Sequence, residues 1–220
     1  MATLDTSIVN VALPTLKVWL STDLQRVKWI VVAYLAVITC LLMPMGRISD
    51  SYGKKRVYLS GFLIFSVGSA LCGMATSLGS LVAFRITQAV GAAMLMANGP
   101  AIITAVFPQR NRGAALGILA MVVSLGLVTG PVLGGYLISR FGWPTIFWVN
   151  LPVAALGMVL VYLLVEPDPP LRRVFQFDWA GSFLQMILVV LFMLLVDPPR
   201  LLFGGDQSLC PDGSWETCGG

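Results

Sequence analysis

The sequence predicts an all-α, polytopic membrane protein built as a bundle of spanning helices, and three observations carry that prediction. Hydrophobic residues make up 57% of the 220 and charged residues 11%, with a mean hydropathy of +0.87, well above the apolar share of ordinary soluble domains. Apolar runs of roughly 18 to 25 residues recur between short polar breaks, each long enough to cross a hydrocarbon core of about 30 Å as a helix, and at least six stretches fit. Alternating ten-residue strands, which an outer-membrane barrel needs, are missing from the pattern, so a helical bundle is the spanning structure left.

The elements follow in order. Residues 1–16 are mostly apolar but carry Asp5, Asn10 and Pro14, with Lys17 and Asp23 after them. No basic segment followed by a cleavage site marks a signal peptide. Only four residues precede Asp5, so the first helix is expected to begin upstream of Met1. The second run, 29–45, ends at a polar loop, 46–56. The third covers 57–76 and the fourth 81–106, interrupted by Arg85 and Gln88. A turn at 108–112 leads to the fifth run, 114–137, and the sixth is 146–165. Residues 1–165 thus form a six-helix bundle with a truncated first helix. Residues 166–178, rich in Pro and charge, form a cytoplasmic linker, 179–196 a seventh helix, and 197–220 a polar, extracytoplasmic tail. Seven helices and a Gly-Gly end lead us to expect a fragment of a longer protein.

Orientation follows from the basic residues. With the loop after the second run on the inside, that side holds Arg47, Lys54, Lys55, Arg56, Arg110, Arg112, Arg172 and Arg173, eight in all. The outer side holds Lys17, Arg26, Lys28, Arg140 and Arg200, five in all, and Arg85 falls within the membrane. The bias predicts a cytoplasmic N-terminus. Cys210 and Cys218 then face outward, where a disulfide is permitted, although two free thiols are an equal alternative.

Composition excludes several chemistries. There is no histidine, so His-based acid/base catalysis and His-containing metal sites are absent from this chain. Cys40 and Cys72 lie in apolar runs and Cys210 and Cys218 in the tail, with no Cys-x-x-Cys pair, so no metal site is expected. The formal charge of +4 sits mostly at helix ends, where topology explains it better than nucleic acid does. No acidic cluster or activated nucleophile points to an enzyme.

Charges at membrane depth are costly enough to mark functional sites. Asp5 lies about eleven residues, or roughly 16 Å, from the helix exit near Leu16, near the midplane. A carboxyl there can take up and release a proton as its surroundings open and close; the alternative is an anchor at a helix end. Arg85 shares a face with Gln88, Ala92, Met96 and Gly99. One turn into the fourth run, it either snorkels to the outer headgroups or tunes a proton on a carboxylate such as Asp5. In the fifth run, Gly126, Gly130 and Gly134 form a bare stripe that admits a neighbouring helix, and Pro131 removes one backbone hydrogen bond and offers a bending point. In the loop, Asp50 either latches neighbouring helices through a helix N-terminus or a local base, or is merely one charge of a topology signal.

Together these residues resemble the amino-terminal half of the 14-helix drug:proton antiporter family of the major facilitator superfamily. Leu4-Asp5-Thr6-Ser7-Ile8-Val9-Asn10-Val11-Ala12-Leu13-Pro14 is similar to its first-helix motif, with Ser7 where Thr is usual. Residues 46–56, including Gly46, Asp50, Gly53, Lys54 and Lys55, resemble the superfamily loop motif, with Ser51 in place of a basic residue. Leu81, Arg85, Gln88, Gly91, Ala92 and Ala93 match the fourth-helix motif, with Ala89 replacing a glycine. Gly117, Gly126, Gly130, Pro131, Gly134 and Gly135 match the antiporter motif. Phe147-Trp148-Val149-Asn150-Leu151-Pro152 and Asp178-Trp179-Ala180-Gly181 are also similar to this group.

The resemblance implies two six-helix bundles rocking about a central cavity, with two extra helices between them. It implies proton coupling at Asp5 and Arg85, a substrate cavity lined by Asn10, Gln88 and Met96, gating by the Asp50 loop, and an antiporter-type change at Gly130-Pro131. No cofactor is implied, the proton gradient being the driving force. The implied partners are the lipid bilayer, a small-molecule substrate, the missing C-terminal half and, in a Gram-negative cell, a periplasmic adaptor and an outer-membrane channel. The expected location is the cell membrane. The expected activity of the whole protein is proton-driven efflux of amphipathic or cationic drugs, the fragment alone being inactive. The alternatives are export of a specific metabolite such as a fatty acid or siderophore, or a non-transporting truncated membrane protein.

Overall fold

The computed structural model describes residues 1–166 and 179–196. Nine helices occupy them: α1 (Ala2–Trp19), α2 (Leu24–Val27), α3 (Trp29–Tyr52), α4 (Lys54–Gly73), α5 (Leu78–Val106), α6 (Arg112–Phe141), α7 (Thr145–Trp148), α8 (Asn150–Leu164) and α9 (Trp179–Val196). Among the described residues there is no strand, and the architecture is the all-α membrane bundle that the hydropathy requires. Among the described residues, five segments are long and apolar enough to cross a membrane, Leu24–Tyr52, Lys54–Gly73, Leu78–Val106, Arg112–Phe141 and Thr145–Leu164, and α1 and α9 are not among them. The second of the short helical pieces, α7, is separated from α8 only by Val149, which keeps right-handed helical angles.

Two boundaries differ from expectation in ways that matter. The polar stretch 46–56 is not an open loop, because the helix runs through it to Tyr52 and resumes at Lys54. Its charges lie along the helix surface, where they cost the backbone nothing, and the break is confined to Gly53, whose φ of 97° suits a residue without a Cβ. The fourth run starts earlier than its apolar residues suggest. Ser77 and Ser80 form a reciprocal capping box, with Ser80 N donating to Ser77 Oγ (3.2 Å) and Ser77 N to Ser80 Oγ (3.1 Å). Polar cap residues sit outside a hydropathy pattern, so the helix begins at Leu78 and Arg85 lies two turns inside it.

The packing is tightest where glycines meet. A Cβ on Gly91 of α5 would lie 2.4 Å from the Phe65 backbone nitrogen of α4, and one on Gly68 of α4 would lie 2.6 Å from Gln88 Cα. These glycines bring α4 and α5 together as the expected stripe brings α1 to α6. Two apolar clusters result. One gathers Ile8, Ala12, Leu16, Ile30, Leu81 and Phe147; the other gathers Tyr34, Ile38, Phe62, Phe65, Ala89 and Ala154. Along α5 the first cluster holds Leu81 and the second Ala89, so Arg85 and Gln88 fall between them.

Candidate functional site

Between the two clusters lies a buried polar knot. On α1 the buried positions Ala2, Asp5, Ile8, Val9, Ala12 and Leu16 recur at helical spacing, so Asp5 is turned inward with the apolar face. On α5 the buried face carries Leu81, Arg85, Gln88, Ala89 and Ala92. Helix α8 opens with Asn150, also buried. Three helices therefore each contribute a polar side chain to one point.

Arg85 Nη1 donates to Asp5 Oδ2 at 2.6 Å and to Gln88 Oε1 at 2.7 Å. Gln88 Nε2 donates to Asp5 Oδ1 at 3.1 Å, and Asn150 Nδ2 donates to the same oxygen at 2.7 Å. Both carboxylate oxygens of Asp5 thus accept, and both ionic partners are fully buried. Asn150 Nδ2 also reaches Ser69 Oγ (3.2 Å), whose hydroxyl donates to the Phe147 carbonyl (2.8 Å) beside the α7/α8 junction. Cys72 Sγ is 3.8 Å from Gln88 Oε1. The Arg85 guanidinium lies over the Tyr34 ring at 4.1 Å and near the Phe147 ring at 5.6 Å. Its Nε and Nη2 have no hydrogen-bond partner among the described residues, and the aromatic rings attract the guanidinium as a whole.

An isolated charge in such surroundings is prohibitively unfavourable, whereas a paired and hydrogen-bonded one is tolerated. Arg85 does not snorkel outward; two turns into α5 its nitrogen finds a carboxylate instead of a headgroup. Of the expected coupling pair, the structure places Asp5 and Arg85 in direct contact. Of the expected cavity residues, Gln88 belongs to the same knot, while Asn10 and Met96 are exposed on the described residues and do not join it.

The expected gating residues sit apart. Exposed Asp50 and half-buried Lys54 form an i, i+4 pair at 3.9 Å, and Gly46 lies within α3 with open space where a Cβ would be. The contact between helices is made by Lys55, whose Nζ donates to the Tyr162 carbonyl at 2.9 Å and to that of Val165. These are the last carbonyls of α8, where a cation is favoured.

The antiporter-motif residues divide equally clearly. Gly130 and Gly134 are the only buried residues of α6; a Cβ on Gly130 would be 2.6 Å from Ser7 Cβ, and one on Gly134 3.0 Å from Ile8 Cγ2. A Cβ on Gly126 would lie 3.5 Å from Thr3 Oγ1, while one on Gly117 or Gly135 would meet nothing within 4 Å. Pro131 lies inside α6, and Ser7 Oγ donates to the carbonyl of Leu127 at 2.8 Å.

Sequence reasoning missed Asn150, Ser69 and Tyr34 as members of the knot. Asn150 is a polar residue at the head of an apolar run and so carried a signal; Ser69 and Tyr34 are ordinary in a spanning helix and carried none. Cys40 and Cys72 are buried and unbridged, and no group of three or more metal-binding side chains occurs among the described residues. Cys210, Cys218, Arg172, Arg173, the linker and the tail lie outside the described residues.

Comparison with known proteins shows the family of the chain. The family model described as Major Facilitator Superfamily matches residues 1–205. The chain is 39% identical over 200 residues to the riboflavin transporter RibZ of Clostridioides difficile (strain 630), covering 90% of this chain and 43% of RibZ. It is 35% identical over 211 residues to the multidrug resistance protein Stp of Mycobacterium tuberculosis (strain CDC 1551 / Oshkosh), covering 95% and 39%. It is 39% identical over 203 residues to the methylenomycin A resistance protein of Streptomyces coelicolor (strain ATCC BAA-471 / A3(2) / M145), covering 91% and 42%. The chain therefore spans less than half the length of these curated relatives. The same fold recurs in the peptide transporter POT, with a TM-score of 0.66 and 16% identity over 92% of this chain and 46% of that one.

Proposed function

Because the chain belongs to the Major Facilitator Superfamily, we propose that the whole protein exports amphipathic or cationic drugs in exchange for protons, with this chain supplying the bundle that carries the proton site. The observation that carries the reading is the Asp5 carboxylate, buried and held by donors from α5 and α8. An ionised carboxyl accepts on both oxygens, whereas a protonated one must present a donor on one of them. A proton on Oδ1 opposes the N–H groups of Gln88 and Asn150; one on Oδ2 opposes Arg85. Either way protonation weakens the attachment of α1 to a neighbouring helix, and ionisation restores it.

That is the differential an alternating-access cycle needs, since a proton shifts a conformational equilibrium only by as much as it binds one state better than the other. A second bundle closes the cavity in the whole protein, and the substrate site lies at the interface between the two halves. The N-terminus is cytoplasmic, in keeping with the eight-to-five distribution of basic residues, and the membrane is the cell membrane. The resistance proteins among the relatives favour drug cargo. The driving force is the proton gradient, with no cofactor. In a Gram-negative cell a periplasmic adaptor and outer-membrane channel would complete the export path.

The test is ethidium accumulation by everted vesicles that contain the full-length protein and are energised with an imposed pH gradient. Accumulation is expected for the wild type and lost for Asp5→Asn with membrane insertion intact. Unchanged accumulation by that variant would remove Asp5 from the coupling. A second reading, export of one specific metabolite, is favoured by the likeness to the riboflavin transporter RibZ; gradient-driven riboflavin movement without ethidium movement would select it.

A further inference from the structure

A second link between helices lies two residues from Asp5 and is not part of the polar knot. Proline lacks a backbone N–H, so Pro131 cannot donate to the carbonyl four residues earlier in its helix. That carbonyl belongs to Leu127, and Ser7 Oγ donates to it from α1 at 2.8 Å. The hydroxyl replaces the missing amide. It can do so because Gly130 has no side chain: a Cβ there would sit 2.6 Å from Ser7 Cβ and 2.7 Å from Ser7 Oγ. Glycine and proline in sequence thus perform two parts of one operation, the first admitting Ser7 and the second presenting an acceptor to it.

The consequences follow from which helices are joined. Among its residues helix α6 buries Gly130 and Gly134, the first lying against Ser7 and the second against Ile8 of α1. The same α1 segment carries Asp5, which is tied to α5 and α8. A movement of α1 that follows protonation of Asp5 is therefore delivered at the break in α6, where the helix lacks one internal hydrogen bond and bends most easily.

We propose that Ser7 is a positioning residue of the transport cycle: its hydroxyl stands in for the amide that Pro131 lacks and fastens α1 to the bending point of α6, so that release of Asp5 and bending of α6 occur together. The proposal rests on proton coupling at Asp5, and its experiment separates the two.

Spin labels are placed at Val18 of α1 and Ile118 of α6, both exposed and on opposite sides of the Pro131 break, in the full-length protein in nanodiscs. The distance between them is measured at acidic and alkaline pH. The wild type is expected to change distance with pH, Ser7→Thr to follow it, and Ser7→Ala to lose the change. A wild type without a pH response sinks proton coupling and this role of Ser7 with it. A responsive wild type matched by Ser7→Ala overturns the role of Ser7 alone.

Transport supplies a readout specific to the missing amide. In everted vesicles with ethidium as probe, Ser7→Ala is expected to lower kcat about fivefold, the size of one net hydrogen bond, with KM unchanged. In a Pro131→Ala background the restored amide serves Leu127, so Ser7→Ala should add no further loss. Equal losses in both backgrounds would show that Ser7 acts through something other than the Leu127 carbonyl and would overturn the proposal.

Discussion

Arg85 Nη1 lies 2.6 Å from Asp5 Oδ2, joining two helices across eighty residues of sequence inside a membrane bundle. The pair is fully buried, so each charge is tolerable only because of the other. This makes the contact a structural fastener as well as a candidate proton switch, and the two roles give separable outcomes.

Removing the cation should expose the fastener. Arg85→Ala leaves Asp5 buried with only amide donors, which is expected to destabilise the full-length protein by about 3–5 kcal/mol. Arg85→Lys keeps the charge but loses the planar guanidinium that lies over the Tyr34 ring, and should fall between. Unfolding in detergent measures this, and wild-type stability for Arg85→Ala would contradict the ion pair.

Asn150 is the donor from α8, and its loss should be smaller. Asn150→Ala removes a hydrogen bond to a charged acceptor, a change of about 1.5–3 kcal/mol. Asn150→Asp places a second carboxyl 2.7 Å from Asp5 Oδ1 and should be worse at neutral pH, with recovery on acidification as one of the two carboxyls protonates. A pH-independent stability for that variant would place the residue away from Asp5.

The glycines of α6 should not respond alike. Gly130→Ala drives a methyl group into Ser7 and is expected to cost about 1–3 kcal/mol, as overpacking does. Gly135→Ala and Gly117→Ala meet open space in this bundle, and should be neutral or stabilising by up to about 1 kcal/mol through helix propensity. Equal sensitivity at all three positions would argue that the motif acts through something other than contact with α1.

At the α3/α4 junction the prominent charge should matter less than its neighbour. Asp50 is exposed, its Lys54 contact is 3.9 Å, and Asp50→Asn should change stability by less than about 1 kcal/mol. Lys55→Ala removes the donor to the end of α8 and should have the larger effect. The ranking is read from the unfolding midpoints of the two variants, and the reverse order would restore Asp50 as the latch.

Much of the fold was legible because bilayer hydrocarbon tolerates few alternatives: runs of apolar residues had to be helices, and a lone Asp5 or Arg85 had to be accommodated. Helix ends were less legible. Ser77 and Ser80 begin α5 through hydrogen bonds that hydropathy does not register, and residues 46–52 remain helical because surface charges do not oppose a helix. The glycine stripe at 126, 130 and 134 announced a close approach but not its partner, and the tighter contact of Gly91 with Phe65 lies in another pair of helices.

The amino-acid order by itself determined the class of structure and the positions at which polarity interrupts the long apolar segments, since both are set by local composition and by the need to satisfy the backbone in lipid. Tertiary structure decided which of those interruptions meet. Asp5, Arg85, Gln88 and Asn150 converge, Asn10 and Met96 stay outside, and Ser7 finds the carbonyl that Pro131 leaves unserved. Such pairings depend on the rotation and spacing of whole helices, which sum many weak contacts, and no single segment encodes them.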